Sequence, residues 1–188
     1  LLTEKAEKLA VGETGLVALD WFNGNRSVLD DSRLSGMILG LTLGTKPEHI
    51  YRALLEATAY GTKMILDTLA FPISTIKVAG GIANKNPLLM QIYADVLGLP
   101  LYVSRCTQAP ALGSAIYAAA AAGVADIYKM VETMGDDDCR IYEPNPRHRE
   151  VYEALYREYR TLHDYFGRGE NAVMERLRKI SATSGNMP

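Results

Sequence analysis

Residues 75–98 are the stretch that most constrains what this chain can fold into. The stretch opens with the β-rich run TIKVA, turns at Gly80-Gly81 and continues as NPLLMQIYADVLG. Asn86-Pro87 is a typical N-cap and first-turn pair, and Gly98 occupies the position of a glycine that ends a helix. A strand, a glycine turn and a capped helix often bind a nucleotide, but they are about as often only a tight connection.

The rest of the chain alternates between strand and helix patterns. Hydrophobic periodicity predicts strands over 15–22, 36–43, 75–79 and 101–104, and helices over 47–69, 86–97 and 111–122. Shorter helices are expected over 3–10, 125–134 and 173–180, a long one from an Asn145 cap to about 166, and a frayed tail from 181. The small residues of 111–122 suggest close packing all round, and Thr45-Lys46-Pro47-Glu48 has the spacing of a capping box. The alternation predicts an α/β layer fold with a mixed sheet.

Composition narrows the classes of function. A net charge of -2 gives no electrostatic reason to expect binding to nucleic acid or to an anionic membrane. The alanine-rich run 118–122 is much shorter than the roughly 18 residues of a membrane span. Cys106 and Cys139 are expected to be free thiols in a reducing, cytoplasmic compartment. The 188 residues suit one domain, and the opening Leu-Leu-Thr, inside a helical pattern and without a methionine, suggests a piece of a longer protein.

Three groups of residues resemble motifs of one enzyme family. Residues 36–41, then a gap of seven residues, His49-Ile50 and residues 53–56 look like the second signature of the FGGY carbohydrate kinases. The turn at 23–26, with Asp31 and Gly36 after it, is similar to the Gly-Glu-Arg turn of that family. The pair Gly80-Gly81, together with residues 111–115, resembles its adenosine-binding glycines and the helix that follows them. The resemblance covers roughly residues 1–166.

This resemblance implies a fold, an activity and cofactors. Members of the family have two lobes of the actin, hexokinase and Hsp70 type, each with an RNase-H-like α/β core, and ATP lies in the cleft between them. Residues 1–188 would be the carboxyl-terminal, nucleotide-side lobe, with a peripheral helix and tail over 170–188. The implied reaction is the ATP-dependent phosphorylation of a sugar, most closely a ketopentose. The general base, the phosphate loop and the Mg²⁺ ligands would lie in an amino-terminal lobe, so no catalytic residue or metal ligand is expected in this sequence.

The resemblance also singles out candidates for contact with the adenine nucleotide. Gly81 would let the purine lie against the backbone. Asn84 and Asn86 compete for the role of the family's asparagine near the nucleotide, and Asn86 has the alternative role of a helix cap. The helix start near Gln108 would flank the nucleotide or would serve close packing. The full candidate set is Gly80, Gly81, Asn84, Asn86, Gln108, Ala111 and Gly113.

Other polar residues have simpler structural interpretations. Arg26 is expected to anchor its turn through a salt bridge with Asp31, and Glu56 is expected to form a buried ion pair. The three histidines, His49, His148 and His163, are expected at exposed helix or cap positions, and no two of them have metal-site spacing. The acidic run 136–138 is expected to be a solvated loop, and the tyrosine-rich helix 152–165 to be core or lobe-packing surface.

Other classes of function stay open at this point. A non-catalytic binding module with an ATPase fold would share the lobe, although the segment 36–56 argues against it. A dinucleotide-binding domain is disfavoured because no G-x-G-x-x-G opens a helix here. Within the family, a kinase of the xylulose or glycerol type is the alternative. The expected partners are ATP, a sugar and the missing lobe, without nucleic acid or membrane, and a homo-oligomer is left open.

Overall fold

The computed structural model of the chain describes residues 1–135 and 138–184. Its elements in chain order are α1 (Leu2–Glu7), β1 (Val17–Leu19), β2 (Met37–Leu39), α2 (Pro47–Leu66), β3 (Ile76–Val78), α3 (Gly81–Lys85), α4 (Pro87–Leu97), β4 (Leu101–Ser104), α5 (Ala109–Ala121), α6 (Ile127–Met134), β5 (Cys139–Tyr142), a 3₁₀ turn (Pro146–His148), α7 (Arg149–Gly167) and α8 (Val173–Ser184). The chain divides into two compact units. Unit 1 contains Leu1–Pro72, Asp95–Gly98 and the residues from Asn145 onward, and unit 2 contains Ile73–Ala94 and Leu99–Pro144.

Unit 1 is built around an antiparallel strand pair and two long helices. In the pair, Val17 lies opposite Leu39 and Leu19 lies opposite Met37. Both long helices pack on β1, and their shared core is aromatic. The ring of Tyr60 on α2 lies with its centroid 5.4 to 6.4 Å from the rings of three α7 tyrosines, Tyr152, Tyr156 and Tyr159. Such centroid distances are typical of favourable aromatic pairs, so the tyrosine-rich helix is core, as predicted.

Unit 2 is built around a mixed sheet of three strands. β3 and β4 run parallel, with Ile76 opposite Leu101 and Val78 opposite Val103. β5 pairs antiparallel with the other edge of β4, and Cys139 lies opposite Ser104. Leu101 and Val103 are almost completely buried. The predicted mixed sheet is therefore confirmed, although it includes β5, which the sequence pattern did not predict.

The first two predicted strands are much shorter in the structure than expected. The predictions over 15–22 and 36–43 shrink to three-residue strands, and these form a separate sheet instead of joining the mixed one. Gly40 explains where β2 ends. Its φ is +96°, and a Cβ placed on it would lie 2.4 Å from the carbonyl oxygen of Gly15. The backbone at Gly40 therefore leaves the extended path at a point where only glycine fits.

Helix boundaries agree better, with the following corrections. The capping box at 45–48 is wrong, because the N-cap of α2 is Lys46 and the Thr45 hydroxyl instead accepts a hydrogen bond from the Thr42 N–H, at 2.9 Å. The helix α3 follows the glycine pair directly and was not predicted. The expected close packing of α5 is wrong, since Ile116 is its one buried residue among those described. The tail is helical as far as Ser184 instead of frayed from 181, and residues 185–188 lie outside the described part.

None of the helices in the described part has the length and apolar character that crossing a membrane requires.

Candidate functional site

The candidate residues lie in unit 2, at the edge of the mixed sheet that the carboxyl ends of its parallel strands form. Because β3 and β4 are parallel, the segments that follow their carboxyl ends emerge at the same edge. The segment after β3 carries Gly80 and Gly81, and the segment after β4 leads to Gln108 and the start of α5. The carboxyl edge of parallel strands is where open α/β sheets bind their ligands. The structure thus brings the two predicted groups to one edge.

The glycine pair is an open stretch of backbone at this edge. Gly80 has a φ of +122°, a conformation that side-chain-bearing residues rarely adopt. No atom lies within 4 Å of a Cβ placed on Gly80 or on Gly81. The glycines are therefore not required by packing within unit 2. They leave a bare peptide surface against which a flat group could lie.

Asn84 fastens this turn to the neighbouring strand. Its side-chain Nδ2 donates to the carbonyl oxygen of Ser104 at 3.0 Å and to that of Gly80 at 3.3 Å. One amide group therefore connects α3 to the end of β4 and to the glycine pair. Ser104 was not among the candidates, since a main-chain carbonyl at the end of a strand leaves no mark in the residue types.

Asn86 is the cap of α4, which is the alternative role that the sequence predicted for it. Its side-chain Oδ1 accepts a hydrogen bond from the N–H of Leu89 at 3.1 Å, which satisfies one of the unpaired donors of the first helical turn. The predicted end of the same helix is also confirmed, because α4 ends at Leu97 and Gly98 has a φ of +65°. Asn86 thus has a structural role, whether or not a ligand reaches it.

The segment after β4 presents small and exposed groups. Gln108 is the N-cap residue of α5 without a side-chain capping bond, and its carbonyl oxygen accepts from the N–H of Leu112 at 2.9 Å. Ala111 is exposed, and no atom lies within 4 Å of a Cβ placed on Gly113. The alternative that Gln108, Ala111 and Gly113 serve close packing therefore finds no support in the described contacts of unit 2.

Glu56 belongs to unit 1 and forms the ion pair that was predicted for it. The Nε of Arg52 donates to the Oε1 of Glu56 at 2.9 Å, and the hydroxyl of Tyr152 donates to the same oxygen at 3.3 Å. Arg52 also donates to the main-chain oxygens of Ala6, at 3.0 Å, and Leu9, at 2.8 Å. Burial raises the pKa of Glu56, and the attraction of Arg52 only partly offsets it.

The predicted pair between Arg26 and Asp31 is wrong. Asp31 is held by Arg33, whose Nη2 lies 2.9 Å from the Asp31 Oδ2, while Arg26 is exposed. The Arg33 side chain, two residues away, reaches both carboxylate oxygens of Asp31. These hydrogen bonds hold the pKa of Asp31 below its usual value. Asp136 and Asp137 of the predicted solvated run lie outside the described residues.

The prediction that the three histidines are exposed is also wrong. His163 is 1% exposed, because helical spacing places it on the same face of α7 as the three core tyrosines. The predicted Asn145 cap of the long helix is wrong, because Asn145 caps the 3₁₀ turn and His148 is the N-cap residue of α7. The Nδ1 of His148 lies 2.7 Å from the Oδ2 of buried Asp95. The other oxygen of Asp95 accepts from the N–H of Asn145 at 2.8 Å. His49 is half-buried on α2.

Across residues 1–135 and 138–184, no group of three or more His, Cys, Asp and Glu side chains is arranged to hold a metal ion.

A family model for the C-terminal domain of the FGGY carbohydrate kinases matches residues 1–122. The chain therefore belongs to the FGGY family of carbohydrate kinases. Within that family it is similar to ribulokinases. It is 52% identical to the ribulokinase of Bacillus licheniformis over 96% of this chain and 34% of the relative, and 54% identical to that of Mycolicibacterium smegmatis over 97% and 33%. The chain thus spans about a third of the length of these relatives.

Solved structures of the same family share the fold. A xylulose kinase from Lactobacillus acidophilus superposes with a TM-score of 0.75 at 21% identity, over 87% of this chain and 34% of that one. A glycerol kinase from Plasmodium falciparum, solved with ADP, gives 0.68 at 23% identity, over 84% and 32%. The predicted α/β fold class of the RNase-H-like kinase lobes is confirmed.

Proposed function

We propose that this chain is the carboxyl-terminal, nucleotide-side part of an ATP-dependent kinase that converts L-ribulose into L-ribulose 5-phosphate in the cytoplasm, for arabinose catabolism. The observation that carries the proposal is the identity of 52% over 188 residues to a ribulokinase. The solved xylulose and glycerol kinases are only 21% and 23% identical, so they support the fold and say little about the sugar.

The open edge of unit 2 is the part of this chain that suits an adenosine. Bare backbone at Gly80 and Gly81 would accept one face of the purine, and Asn84 would hold that turn in place through Ser104. Gln108, Ala111 and Gly113 would flank the nucleotide from the next connection, and Asn86 would support the turn as the cap of α4. The glycines are open to solvent in unit 2, and this openness favours a ligand role over a packing role.

ATP would supply the phosphoryl group, and Mg²⁺ would neutralise its charge. In-line transfer depends mainly on positioning and on charge stabilisation. We place the base for the sugar hydroxyl, the phosphate loop and the metal ligands in the preceding part of a full-length kinase. This chain would then contribute one wall of a cleft that closes around both substrates and excludes water.

The test is ATP-dependent phosphorylation of L-ribulose, D-xylulose and glycerol by the full polypeptide and by the isolated 188-residue chain. We expect the full polypeptide to prefer L-ribulose and the isolated chain to show no turnover. One wall of the site could still bind ATP at millimolar concentration, about 4 kcal/mol. A preference for D-xylulose or glycerol would contradict the proposed substrate. Turnover by the isolated chain within tenfold of the full polypeptide would contradict the proposed location of the catalytic groups.

The alternative of a non-catalytic binding module predicts a different result in the same assay. Such a module would bind ATP without phosphorylating any of the three acceptors. Sedimentation of the full polypeptide, run in parallel, would determine whether it forms the homo-oligomer that the sequence leaves open.

A further inference from the structure

A short segment at the end of β2 exposes leucines in a way that unit 1 does not explain. Within residues 39–43, Leu39 is 54% exposed, Leu41 is 55% exposed and Leu43 is 110% exposed. Single exposed leucines are common on protein surfaces. Three within five residues concentrate exposed apolar area in one short segment, and such a concentration is typical of a contact with another piece of protein. We call residues 39–43 the leucine segment.

The leucine segment is held in place by its own hydrogen bonds. Beyond Leu41, the Thr45 hydroxyl accepts from the Thr42 N–H at 2.9 Å, and the Thr42 carbonyl accepts from the Thr45 N–H at 3.1 Å. The Thr42 hydroxyl also accepts from the Gly44 N–H at 3.3 Å. This turn presents Leu43 in a defined position. A partner would therefore meet a surface that is already ordered, which lowers the entropic cost of contact.

The segment also continues a sheet with an open side. β2 pairs with β1 and, among the described residues, with no other strand. A sheet of two strands is marginal by itself, and a free edge offers unpaired main-chain groups to an added strand. The leucines therefore stand beside an unused strand edge, and the two features together suit an extended or strand-like partner.

We propose that the leucine segment and the adjacent edge of β2 are a docking surface for the part of the polypeptide that precedes Leu1 in a full-length kinase. The proposal rests on the proposed function insofar as it takes this chain as part of a larger enzyme. The relatives are about three times as long as this chain, and the chain matches the C-terminal domain of the family. The polypeptide that these relatives have in addition is thus mainly the part before this domain.

The size of the surface favours this occupant over a second copy of the chain. A stable dimer usually buries about 800 Å² on each partner, which is more than a five-residue segment can supply. A covalently connected partner needs less area, because the connection itself provides an effective concentration in the millimolar range. A small apolar surface of this kind is therefore sufficient for a partner in the same polypeptide.

The test is photo-crosslinking in the full polypeptide. Benzoylphenylalanine is incorporated in place of Leu43 and, as the matched control, in place of Ile180, which is 61% exposed on α8. We expect the probe at 43 to crosslink within one polypeptide, at monomer mass, to a peptide that precedes Leu1. The probe at 180 should give at least tenfold less of that product. A product of twice the mass, or equal yields from both positions, would overturn the proposal.

A second measurement covers the case in which the probe disturbs folding. Leu43→Asp should not affect unit 1 itself, because the side chain is fully exposed there. In the full polypeptide we expect it to lower the melting temperature by about 2–4 °C, while Leu177→Asp on α8 leaves it unchanged. Equal melting temperatures for both variants and the parent would count against docking. Phosphorylation of L-ribulose by the parent is scored separately, so that either proposal can fail while the other stands.

Discussion

The buried pair of Arg52 and Glu56 has an exposed counterpart in the same unit, which allows the effect of burial to be measured. Arg149 and Glu153 have the same residue types, the same spacing along a helix and the same contact between Nε and Oε1, at 2.8 Å against 2.9 Å. The side chains of the first pair are 5% and 2% exposed, and those of the second are 77% and 50% exposed. The perturbation is a double-mutant cycle at each pair, with Arg→Met and Glu→Gln.

The expected magnitudes follow from what each substitution leaves behind. Arg52→Met removes the cation from a buried carboxylate and two donors from the carbonyls of Ala6 and Leu9, so we expect a loss of about 3–5 kcal/mol in the free energy of unfolding. Glu56→Gln keeps an oxygen for Arg52 but removes its counter-charge, and should cost about 1.5–3 kcal/mol. The coupling energy between the two should be about 1–3 kcal/mol. Water screens the exposed pair, so its coupling should be too small to resolve.

Trp21 provides the assay. It is the one tryptophan of the sequence, it is 3% exposed, and it contacts His163 edge-on in unit 1, where both pairs lie. Urea unfolding of the 188-residue chain, followed by Trp21 fluorescence, therefore reports on both cycles. Equal coupling energies for the buried and the exposed pair would refute the reasoning.

The same variants predict a dependence on pH. Burial raises the pKa of Glu56, so its contribution to stability is largest at low pH and is lost as the pH rises through the folded-state value. Arg52→Met removes the attraction that partly offsets this shift. We therefore expect Arg52→Met to cost more stability at pH 8 than at pH 5, where a neutral Glu56 is tolerated. An equal cost at both values would contradict the assigned sign.

Three further predictions concern Gly81, Asn84 and Arg33. Gly81→Val should raise the KM for ATP of the full polypeptide by about fivefold or more, which corresponds to about 1 kcal/mol. The control Ala118→Val, on the exposed side of α5, should leave the KM unchanged. An unchanged KM for Gly81→Val would remove Gly81 from the site. Asn84→Ala should lower the free energy of unfolding by about 1 kcal/mol. Asn84→Asp should lower it by more, because a carboxylate would face the two carbonyl oxygens of Gly80 and Ser104. The reverse order in urea unfolding would disprove the role of Asn84 as a donor to both carbonyls. Arg33→Met should raise the pKa of Asp31 towards its usual value. It should also remove the stabilisation that this pair gives the parent, which is lost as the pH falls. An NMR titration that finds the pKa of the Asp31 carboxyl unchanged in the variant would contradict the pairing.

The helices could be predicted from the sequence because caps and hydrophobic periodicity lie within the helical segment itself. The start of α2 at Pro47 and the span of α4 between Asn86 and Gly98 agree with the expected positions almost to the residue. The strands were less predictable, since the lengths of β1 and β2 depend on where Gly40 meets Gly15 across the sheet. β5 was not predicted, and what makes Cys139–Tyr142 a strand is its antiparallel pairing with β4, which the sequence pattern does not show.

The candidate site was predictable as a region and less so in its details. The glycine pair and the resemblance to a family pointed to the correct connections of the sheet. They could not reveal that Asn84 binds the carbonyl of Ser104, because main-chain acceptors are the same for every residue type. Arg33 was missed as the partner of Asp31 for a related reason. The choice between two nearby arginines depends on the path of the turn, which the sequence pattern does not specify.

The carboxylate of Asp95 has a consequence for how the chain can vary in length. The polypeptide leaves unit 1 after Gly98 and returns at Asn145, and Asp95 holds the N–H of that returning residue at 2.8 Å. For unit 1, the residues in between are an insertion whose two ends are fixed beside each other. We therefore expect that the connection between α5 and α6, which lies within this stretch, can change in length without moving the start of α7. The hydrogen bond between Asn145 and the Asp95 side chain fixes where the chain returns to unit 1, and the number of residues in between does not.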